Sequence, residues 1–377
     1  MIKEKIFKNS FQNKDTMKQK ILTKTDDLPI KNETKADGKV RSGYWLGEED
    51  SKHLASLGLG YETNRKGVLV ISDRVSAFEE NWTSEGGLTG VPGKGASLNA
   101  ISKFWFDKFN DMGLAENHII ASPHPMVWIV EQAQPIKIEA IARQYITGSM
   151  WRSYEKGKQE FCGIQLPNGL KKNQRLPELL LTPTTKGTIK GVEGVPEKED
   201  VPITRDQIID NYEAFGFRYP MHIPTYEVLL KAGFKTISEH LEKLGYLFVD
   251  TKFEFGYIQK DDGSIHMIYM DEVGTPDSSR YLNKALYQKG EIREDSKEFF
   301  RQGIINFTPN NEILLNSDMS SQRKVYAKET GLPDSLFLET GELYTGLAET
   351  ITGKEMPKIE NAREEILDAL APYGLLK

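Results

Sequence analysis

Apolar and polar residues change their spacing several times along the chain, and each spacing predicts an element. The run GVLVISD at 67–73 is rich in β-branched residues between a glycine and an aspartate, which predicts a strand. Residues 96–109 carry apolar side chains at helical spacing and predict an amphipathic helix. Thr204 and Gln207 have the spacing of a capping box, so a helix is expected to begin there. The other predicted segments are a β segment at 135–146, a surface excursion at 163–202, a helix at 225–244 and a mostly helical tail at 319–372.

These elements are grouped instead of alternating regularly, which favours an α+β fold with antiparallel strands. With 377 residues the chain is long enough for two domains. Residues 1–36 are polar and rich in lysine, and they predict a weakly ordered N-terminal arm. We assign a β-rich lobe to 37–135 and an α+β lobe with a helical C-terminal extension to 136–377.

Composition narrows the class of protein. Cys162 is the single cysteine, which excludes a disulfide framework within the chain and favours a reducing, cytoplasmic location. A net charge of −6 argues against a general nucleic-acid binder, because such proteins usually carry a basic face. No apolar run approaches the ~20 residues of a membrane span. The sequence therefore predicts small-molecule partners, with neither nucleic acid nor membrane among them.

The strongest hairpin pattern consists of two alternating runs around Asp262–Gly263. With the turn centred between these two residues, Glu254 lies directly opposite Asp271, and their Cβ atoms are ~5 Å apart. Facing carboxylates repel each other, but a divalent cation reverses the sign, and Mg²⁺ accepts one or two carboxylates with phosphate oxygens. The period of two adds Asp250 and Lys252 to the same face. The opposite face is expected to be apolar, with Phe253, Phe255, Tyr257, Ile268 and Met270.

This hairpin runs into a polar loop, TPDSSR. Arg280 supplies a planar fork for phosphate, and Ser278 and Ser279 supply hydroxyl donors. An ordinary exposed face of mixed charges would explain the same residues. The apolar opposite face and the polar loop together favour a Mg²⁺–nucleotide site beside an anionic substrate.

Other stretches suit anions less specifically. Lys39 begins the first β segment in GKVRSGYW, where a solvated basic turn is the simpler interpretation. The stretch GGLTGVPGKGAS lacks the spacing of a P-loop and is predicted to be a flexible loop carrying Lys94. Ser76 follows a strand end, where turn chemistry is about as good an explanation as a site. Arg143 and Ser149 flank a Thr-Gly turn. The six histidines lack metal-ligand spacing, which argues against a zinc enzyme.

Taken together, these stretches closely resemble the phosphoribosylaminoimidazole-succinocarboxamide synthase (SAICAR synthetase) family. The matching segments lie in family order from about residue 38 to 290. The combination of DTKFEFG with DEVGTPDSSRY is the most specific part of the match. The other segments are GKVRSGY, SDRVSAFE, VPGKGASLNAISKFWF, IEAIARQYITGSMWRSYEKG and LTPTTKG, with GLAETITGK resembling the family's last helix.

The resemblance implies a two-lobed fold related to the ATP-grasp and protein-kinase architectures, with a nucleotide-binding N-terminal lobe. It implies an ATP-dependent ligase of de novo purine biosynthesis, with ATP and Mg²⁺ as cofactors. The enzyme would join L-aspartate to the carboxylate of carboxyaminoimidazole ribonucleotide (CAIR), giving SAICAR, ADP and phosphate through an acyl phosphate. A monomer or a homodimer is expected.

The resemblance also assigns site residues, position by position. It makes Glu254 and Asp271 the Mg²⁺–ATP carboxylates, catalytic together with Lys252. It gives further ATP contacts to Lys39, Val40, Arg41 and Lys186. The expected substrate-binding residues are Ser76, Lys94, Arg143, Ser149, Asp250, Lys252, Asp277, Ser278, Ser279 and Arg280.

Two other functions are compatible with a nucleotide site. The first is a kinase-like phosphotransferase, although the HRD and DFG motifs that a protein kinase needs are missing from the sequence. The second is a non-catalytic ATP-binding module, which would bind nucleotide without turnover.

Overall fold

The computed structural model describes residues 21–377, which divide into two compact units. The first unit contains the described residues up to Ile101, together with Ile119–Gln132 and Ser296–Lys377. The second contains Ser102–His118 and Ala133–Asp295. The C-terminal residues from Ser296 onwards, predicted to extend the second lobe, therefore belong to the first unit. Their apolar side chains share a buried cluster with the N-terminal strands, which the local sequence pattern does not reveal.

The elements of the described residues are as follows. The strands are β1 (Thr34–Asp37), β2 (Arg41–Trp45), β3 (Lys66–Ile71), β4 (Ser76–Ala77), β5 (Glu80–Asn81), β6 (Thr83–Ser84), β7 (Ile119–His124), β8 (Val127–Glu131), β9 (Gln134–Pro135), β10 (Ile138–Tyr145), β11 (Glu160–Phe161), β12 (Ile164–Gln165), β13 (Arg175–Leu181), β14 (Thr184–Thr185), β15 (Tyr246–Gln259), β16 (Ile265–Met270), β17 (Ser279–Asn283) and β18 (Gly331–Leu332). The helices are α1 (Glu48–Ser56), α2 (Lys94–Asp111), α3 (Gly148–Glu155), α4 (Arg205–Asp210), α5 (His222–Lys243), α6 (Lys284–Gln288), α7 (Lys297–Phe307), α8 (Glu312–Leu315), α9 (Ser320–Glu329), α10 (Asp334–Thr352) and α11 (Ala362–Leu370), with 3₁₀ turns at Ser317–Met319 and Ala371–Tyr373.

The first unit is built on a five-stranded antiparallel sheet with the order β1-β2-β3-β8-β7. The predicted strand at 67–73 is β3, and its β-branched residues Val68 and Val70 are fully buried. The predicted helix at 96–109 is the longer α2, and its apolar stripe includes the fully buried Leu98. The helical tail is confirmed as α9, α10 and α11.

The N-terminal arm predicted at 1–36 is wrong for its described part. Leu28 and Ile30 are buried, and Ile30 forms a β-bridge with Leu376. The backbone N–H of Lys31 donates to the carbonyl of Leu375, and that of Lys377 donates to Pro29. The polar composition of this segment is misleading because its few apolar residues pack against partners from the C-terminal end of the chain. The rest of the prediction, residues 1–20, lies outside the described residues.

The second unit is built on a seven-stranded antiparallel sheet centred on the 14-residue strand β15. The main path is β13-β10-β15-β16, while β14 pairs with β10, and β9 and β17 pair with β15. The α+β fold with antiparallel sheets and flanking helices is thus confirmed. Among residues 21–377, no helix is long and apolar enough to cross a membrane.

The predicted hairpin exists as β15 and β16, but its register is wrong by one residue. Glu254 pairs with Met270 instead of Asp271. The loop has three residues, because the N–H of Lys260 donates to the carbonyl of Ser264, and Gly263 alone adopts a left-handed φ of 85°. A two-residue type I′ turn would force Asp262 into that region as well.

The shifted register changes which residues share the apolar face. Tyr269 now pairs with Phe255, and the two ring centroids lie 5.0 Å apart. Phe109 of α2 packs against the same tyrosine at 5.0 Å. Ile268 and Met270, expected on this face, pair instead with Gly256 and Glu254. Burying a large aromatic ring stabilises this register, an effect that depends on α2 and not on the turn.

The surface excursion predicted at 163–202 is also more ordered than expected. It contains β12, β13 and β14, of which β13 and β14 pair with β10. Its apolar residues form a buried cluster with the start of α3. The capping box is confirmed: the N–H of Gln207 donates to the Thr204 hydroxyl, and the Thr204 N–H donates to the Gln207 side chain. The predicted helix at 225–244 is α5, followed by Gly245 with a φ of 83°.

Candidate functional site

Three neighbouring strands of the second unit bring two arginines to one carboxylate. Asp250 of β15 pairs with Arg143 on β10 and with Arg280 on β17. Its Oδ2 accepts a hydrogen bond from Nη1 of each arginine, both at 2.5 Å. Asp250 and Arg143 are each 4% exposed. Glu294 Oε2 also lies 3.8 Å from Arg280 Nε, so two carboxylates balance the two guanidinium charges, and the N–H donors that remain suit an anionic ligand.

Helix α3 and the turn before it fix the two arginines. Arg143 Nη2 donates to Ser149 Oγ at 3.2 Å, and its Nε donates to Thr182 Oγ1 at 3.0 Å. Gly148 has a φ of 58°, and a Cβ at this position would lie 2.8 Å from Nη2 of Arg280. Only glycine satisfies both the left-handed backbone and this close approach. The Thr-Gly turn predicted to suit an anion thus packs against both arginines.

Two residues further along β15, lysines and carboxylates form a second cluster. Lys252 Nζ lies 2.6 Å from Glu254 Oε1 and 3.4 Å from Glu139 Oε1. Lys186 pairs with the other oxygen of Glu254, which is 3% exposed. Burial lowers the pKa of Lys186 despite the charge of Asp271. For Lys252, burial also acts to lower the pKa, but Glu139, Asp271 and Glu272 together outweigh it, so the pKa is raised.

Asp271 belongs to this second cluster although it is not opposite Glu254. It follows the last residue of β16 and has a left-handed φ of 62°. Aspartate tolerates that conformation better than most residues. Its charge acts on both Lys186 and Lys252. The predicted cross-strand pairing of Glu254 with Asp271 is therefore wrong, but the charge of Asp271 still acts on the two lysines that pair with Glu254.

The TPDSSR loop is organised by its own hydroxyls. Thr275 Oγ1 lies 3.1 Å from Ser278 Oγ and donates to Glu272 Oε2 at 3.0 Å. Ser279 Oγ lies 2.8 Å from Thr251 Oγ1 across the β15–β17 pair. Asp277 is half-buried in the same loop. These contacts fix the loop and place Arg280 at the first cluster.

The predicted ATP contacts near residue 40 lie in the first unit. Lys39 and Val40 occupy the turn between β1 and β2, closed by the Gly38 N–H donating to the Arg41 carbonyl at 2.8 Å. Lys39 is exposed. The Arg41 guanidinium lies 4.9 Å from the ring centroid of Trp128. Lys39 therefore lies in an exposed turn between two strands, as the interpretation of a solvated basic turn requires.

The two predicted substrate residues of the first unit are both buried. Ser76 is 8% exposed on β4, and Lys94, at the start of α2, is fully buried with its Nζ 5.8 Å from the Tyr344 ring centroid. Nearby, Asp73 accepts hydrogen bonds from the backbone N–H groups of Leu22 and Gly95, both at 2.9 Å. Burial raises the pKa of Asp73 to about 6, although these bonds and the charge of Lys94 act in the opposite direction.

Sequence reasoning missed several polar residues of the second unit's clusters. Glu139 Oε2 accepts a hydrogen bond from Thr184 Oγ1 at 2.8 Å. The side chain of Asp200 is hydrogen-bonded to Glu139. Burial is the main cause that raises the pKa of Asp200, and the charges of Glu139 and Glu199 raise it further. Thr182 holds Arg143. Thr182 and Asp200 come from the stretch interpreted as a surface excursion, so no local pattern points to them.

The residues present fit a magnesium–phosphate group. In the described residues no group of three or more His, Cys, Asp or Glu side chains is arranged to hold a metal alone. Magnesium needs only one or two carboxylates when phosphate oxygens complete its shell. Glu254 and Asp271 are carboxylates of the kind such a group would need, and Lys186 and Lys252 are cations that could face its phosphates.

Comparisons with known proteins agree on one family. A sequence model described as SAICAR synthetase matches residues 60–314. The phosphoribosylaminoimidazole-succinocarboxamide synthase of Vibrio parahaemolyticus is 52% identical over 366 residues, covering 96% of this chain and 100% of the relative. That of Vibrio cholerae is 52% identical over 367 residues with the same coverage. A solved structure of the Saccharomyces cerevisiae SAICAR synthase, complexed with SAICAR, has a TM-score of 0.63 and 25% identity, covering 89% of this chain and 100% of that one.

The antiparallel sheet of the second unit carries an arginine pair and, beside it, a lysine–carboxylate cluster, a set of cations typical of enzymes that bind phosphorylated anions. The match over most of the length and the high identity to its relatives settle the family. The chain belongs to the SAICAR synthetase family.

Proposed function

We propose that this chain joins L-aspartate to the carboxylate of CAIR in an ATP-dependent reaction of purine biosynthesis, through an acyl phosphate. The products are SAICAR, ADP and phosphate. The overall reaction follows from the family and from relatives that are 52% identical over 96% of this chain. The acyl phosphate and the residue roles are argued below from the second unit.

One observation carries the proposal: strand β15 presents Asp250, Lys252 and Glu254 in succession at a period of two. Asp250 belongs to the arginine cluster, Glu254 belongs to the lysine–carboxylate cluster, and Lys252 lies between them. A phosphorylated substrate and a nucleotide held on one strand would be adjacent. That arrangement favours direct transfer between them, because positioning and charge neutralisation dominate phosphoryl transfer.

We assign CAIR to the arginine cluster. Arg143 and Arg280 present planar forks for its anionic groups, and Asp250 holds both forks in position. Ser149 orients Arg143, while Ser278 and Asp277 belong to the loop that precedes Arg280. Asp250 is thus a positioning residue in this assignment.

We assign the phosphates of ATP to the lysine–carboxylate cluster. Glu254 and Asp271 would hold Mg²⁺, which when bound neutralises phosphate charge and polarises the γ-phosphoryl group. Lys186 and Lys252 would exchange part of their pairing with Glu254 for phosphate oxygens. The roles predicted for Lys39, Val40, Arg41, Ser76 and Lys94 in the first unit stay predictions.

The chemistry proceeds in two balanced steps. A carboxylate resists attack by an amine because its charge repels the nucleophile. An oxygen of the CAIR carboxylate therefore first takes the γ-phosphoryl group, and ADP leaves. The amine of aspartate then attacks the activated carbonyl carbon, loses a proton and expels phosphate with the former carboxylate oxygen.

Heavy-oxygen labelling of the CAIR carboxylate tests this order. The inorganic phosphate released should contain one labelled oxygen per turnover, measured by mass spectrometry. Label in the carboxylates of aspartate should stay in the product. Unlabelled phosphate from labelled CAIR would exclude the acyl phosphate, even if SAICAR still forms.

The two alternative functions are not favoured. A kinase-like phosphotransferase or a non-catalytic module is hard to reconcile with full-length relatives that are all synthases. A coupled assay of ADP release with CAIR separates the three: a phosphotransferase would not need aspartate, and a binding module would release no ADP. The monomeric or dimeric state and the cytoplasmic location stay predictions.

A further inference from the structure

A cavity of about 260 Å³ lies in the second unit, lined by residues that the proposed reaction does not use. Its walls come from the ends of β10, β13 and β15 and from α5 and α6, and include Tyr145, Arg175, Glu242, Phe248, Lys284 and Tyr287. A depression of about 310 Å³ adjoins it and shares Tyr246, Lys284 and Gln288. Sites for small molecules begin at about 300 Å³, a volume that the cavity reaches only together with the adjoining depression, so one small ligand would extend across both.

This cavity is distinct from the arginine cluster although the same strands form both. Val249 and Asp250 are consecutive on β15 and therefore point to opposite faces. Arg143 is bonded to Asp250, whereas Tyr145 packs with Val249. Arg143 and Tyr145 would share a face on a regular strand, but the pairing of β10 shifts register between them. The irregularity turns Tyr145 away from the proposed CAIR residues and into the cavity wall.

The charges of the cavity leave one cation available. Lys284 Nζ pairs with Glu242 Oε1 at 2.8 Å. Within residues 21–377, the exposed Arg175 side chain forms neither an ion pair nor a hydrogen bond, although its charge acts on both Tyr145 and Glu242. A free guanidinium is a planar, two-pronged donor that matches a phosphate or a carboxylate. One such group calls for a ligand with one anionic group.

The aromatic wall offers a second recognition element. The rings of Tyr145 and Tyr287 meet edge to face, with centroids 5.7 Å apart. The hydroxyl of Tyr287 donates to the carbonyl of Asn173 at 3.0 Å. Tyr145 is only 5% exposed, and its hydroxyl has no hydrogen-bond partner in the described part of the chain. Burial raises the pKa of Tyr145, so the hydroxyl stays protonated and can donate. The hydroxyl oxygen is not fully buried, so it opens into the cavity and is available to a ligand acceptor.

We propose that this cavity binds a nucleoside monophosphate, with its phosphate on Arg175, its base against Tyr287 and the Tyr145 hydroxyl as a donor to it. The Glu242 carboxylate and the Gln288 amide supply polar partners for ribose hydroxyls. The Lys284–Glu242 pair contributes no net charge, so di- and triphosphates gain no further cation there. This site is separate from the residues assigned to ATP and CAIR.

Isothermal titration with adenosine monophosphate, inorganic phosphate and adenosine tests the proposal on the full chain. Adenosine monophosphate should bind at least about tenfold more tightly than phosphate or adenosine alone, because each fragment engages one recognition element. Arg175→Gln should weaken its binding by about tenfold or more, as expected for loss of a charged hydrogen-bonding group. Lys172→Gln is the matched control, since Lys172 is exposed, lies three residues away and does not line the cavity.

Two comparisons distinguish this cavity from the nucleotide site. Arg175→Gln should leave the Kd for ATP unchanged in the same titration. Tyr145→Phe, which removes only the hydroxyl, should weaken adenosine monophosphate binding severalfold without lowering the melting temperature by more than a few degrees. Adenosine monophosphate binding that is unchanged in Arg175→Gln overturns the proposal. Phosphate binding as tightly as the nucleotide overturns it too, because the cavity would then be an anion site without base recognition.

Discussion

At the scale of single residues, Asp271 shows how a site can be assembled from an unusual backbone conformation. It directly follows β16 and adopts a left-handed φ of 62°, and its charge acts on Lys186 and Lys252, which both pair with Glu254. In a regular continuation of the strand it would point to the other face. The left-handed conformation therefore takes Asp271 out of the regular alternation of β16.

Replacing this carboxylate tests its role. Asp271→Asn keeps the size and the tolerance of left-handed φ, so the fold should survive. Turnover should fall by at least ~100-fold, because a ligand for the metal and a charge near both lysines are lost. Steady-state assays at limiting Mg²⁺ measure the effect, and circular dichroism checks the fold. Asp262→Asn, in the exposed hairpin loop, is the control and should stay active. Near-normal turnover of folded Asp271→Asn would remove it from the metal site.

A second prediction at the scale of single residues concerns Asp73 and the dependence of the free energy of unfolding on pH. Its folded pKa of about 6 lies above the ordinary value of about 3.9, so between these values the folded state binds more protons than the unfolded state. The free energy of unfolding should therefore fall as pH rises from 4 to 6. Relative to Asp73→Asn, which does not titrate, the wild type should lose up to roughly 3 kcal/mol over this window.

Urea unfolding of both proteins at pH 4, 5, 6 and 7 measures that difference. Taking the difference between the two proteins removes the contributions of other titrating groups. A difference that stays constant over the range, or that grows in favour of the wild type, would mean that Asp73 keeps an ordinary carboxyl pKa.

At the scale of elements, helix α3 is flanked by two glycines that permit a controlled comparison. Gly148 and Gly157 both have left-handed φ, 58° and 86°. A Cβ on Gly148 would lie 2.8 Å from the Arg280 guanidinium, whereas a Cβ on Gly157 would meet nothing within 4 Å. The two positions share the backbone strain of an alanine and differ in the contact with the arginine cluster.

Gly148→Ala should raise the KM for CAIR by about tenfold or more, since the guanidinium of Arg280 must move from its position on Asp250. The KM for ATP should change much less. Gly157→Ala should lose similar stability, of the order of 1 kcal/mol, with both KM values unchanged. Equal effects of the two variants on CAIR would show that strain in α3, and not the arginine, is responsible.

Comparing the elements with their predictions shows what the sequence alone could indicate. Helix α2, strand β3 and the capping box of α4 follow from local spacing, and each is confirmed. The hairpin also follows from local spacing, but its register depends on whether Asp262 or only Gly263 takes a left-handed φ and on how Tyr269 packs against α2. The hairpin register therefore depends on long-range packing, which local spacing does not show. The proximity of Glu139 and Asp200 to Lys252 could not be predicted from local sequence either, because these residues are far apart in the chain.

At the scale of the whole chain, the first unit depends on its N-terminal segment. Leu22, Leu28 and Ile30 are buried in the cluster that also contains Ile366, Leu370 and Leu375. A chain that starts at Asn32 should therefore be less stable than one that starts at Ile21 by roughly 5 kcal/mol, at ~1.5–3 kcal/mol for each buried side chain. Thermal unfolding of the two truncated proteins measures this. Equal melting temperatures would mean that the segment does not dock.

The division of the chain into units also sets an order in time. The second unit is complete once Asp295 has been synthesised, whereas the first must wait for Ser296–Lys377. Domains usually fold from the N-terminus onwards during translation, but here the buried cluster under the earliest strands stays incomplete until the last helices emerge. A nascent chain halted after Asp295 should accordingly resist protease across Ala133–Asp295 while its first hundred residues are still digested. The part of the protein that is made first is the part that folds last.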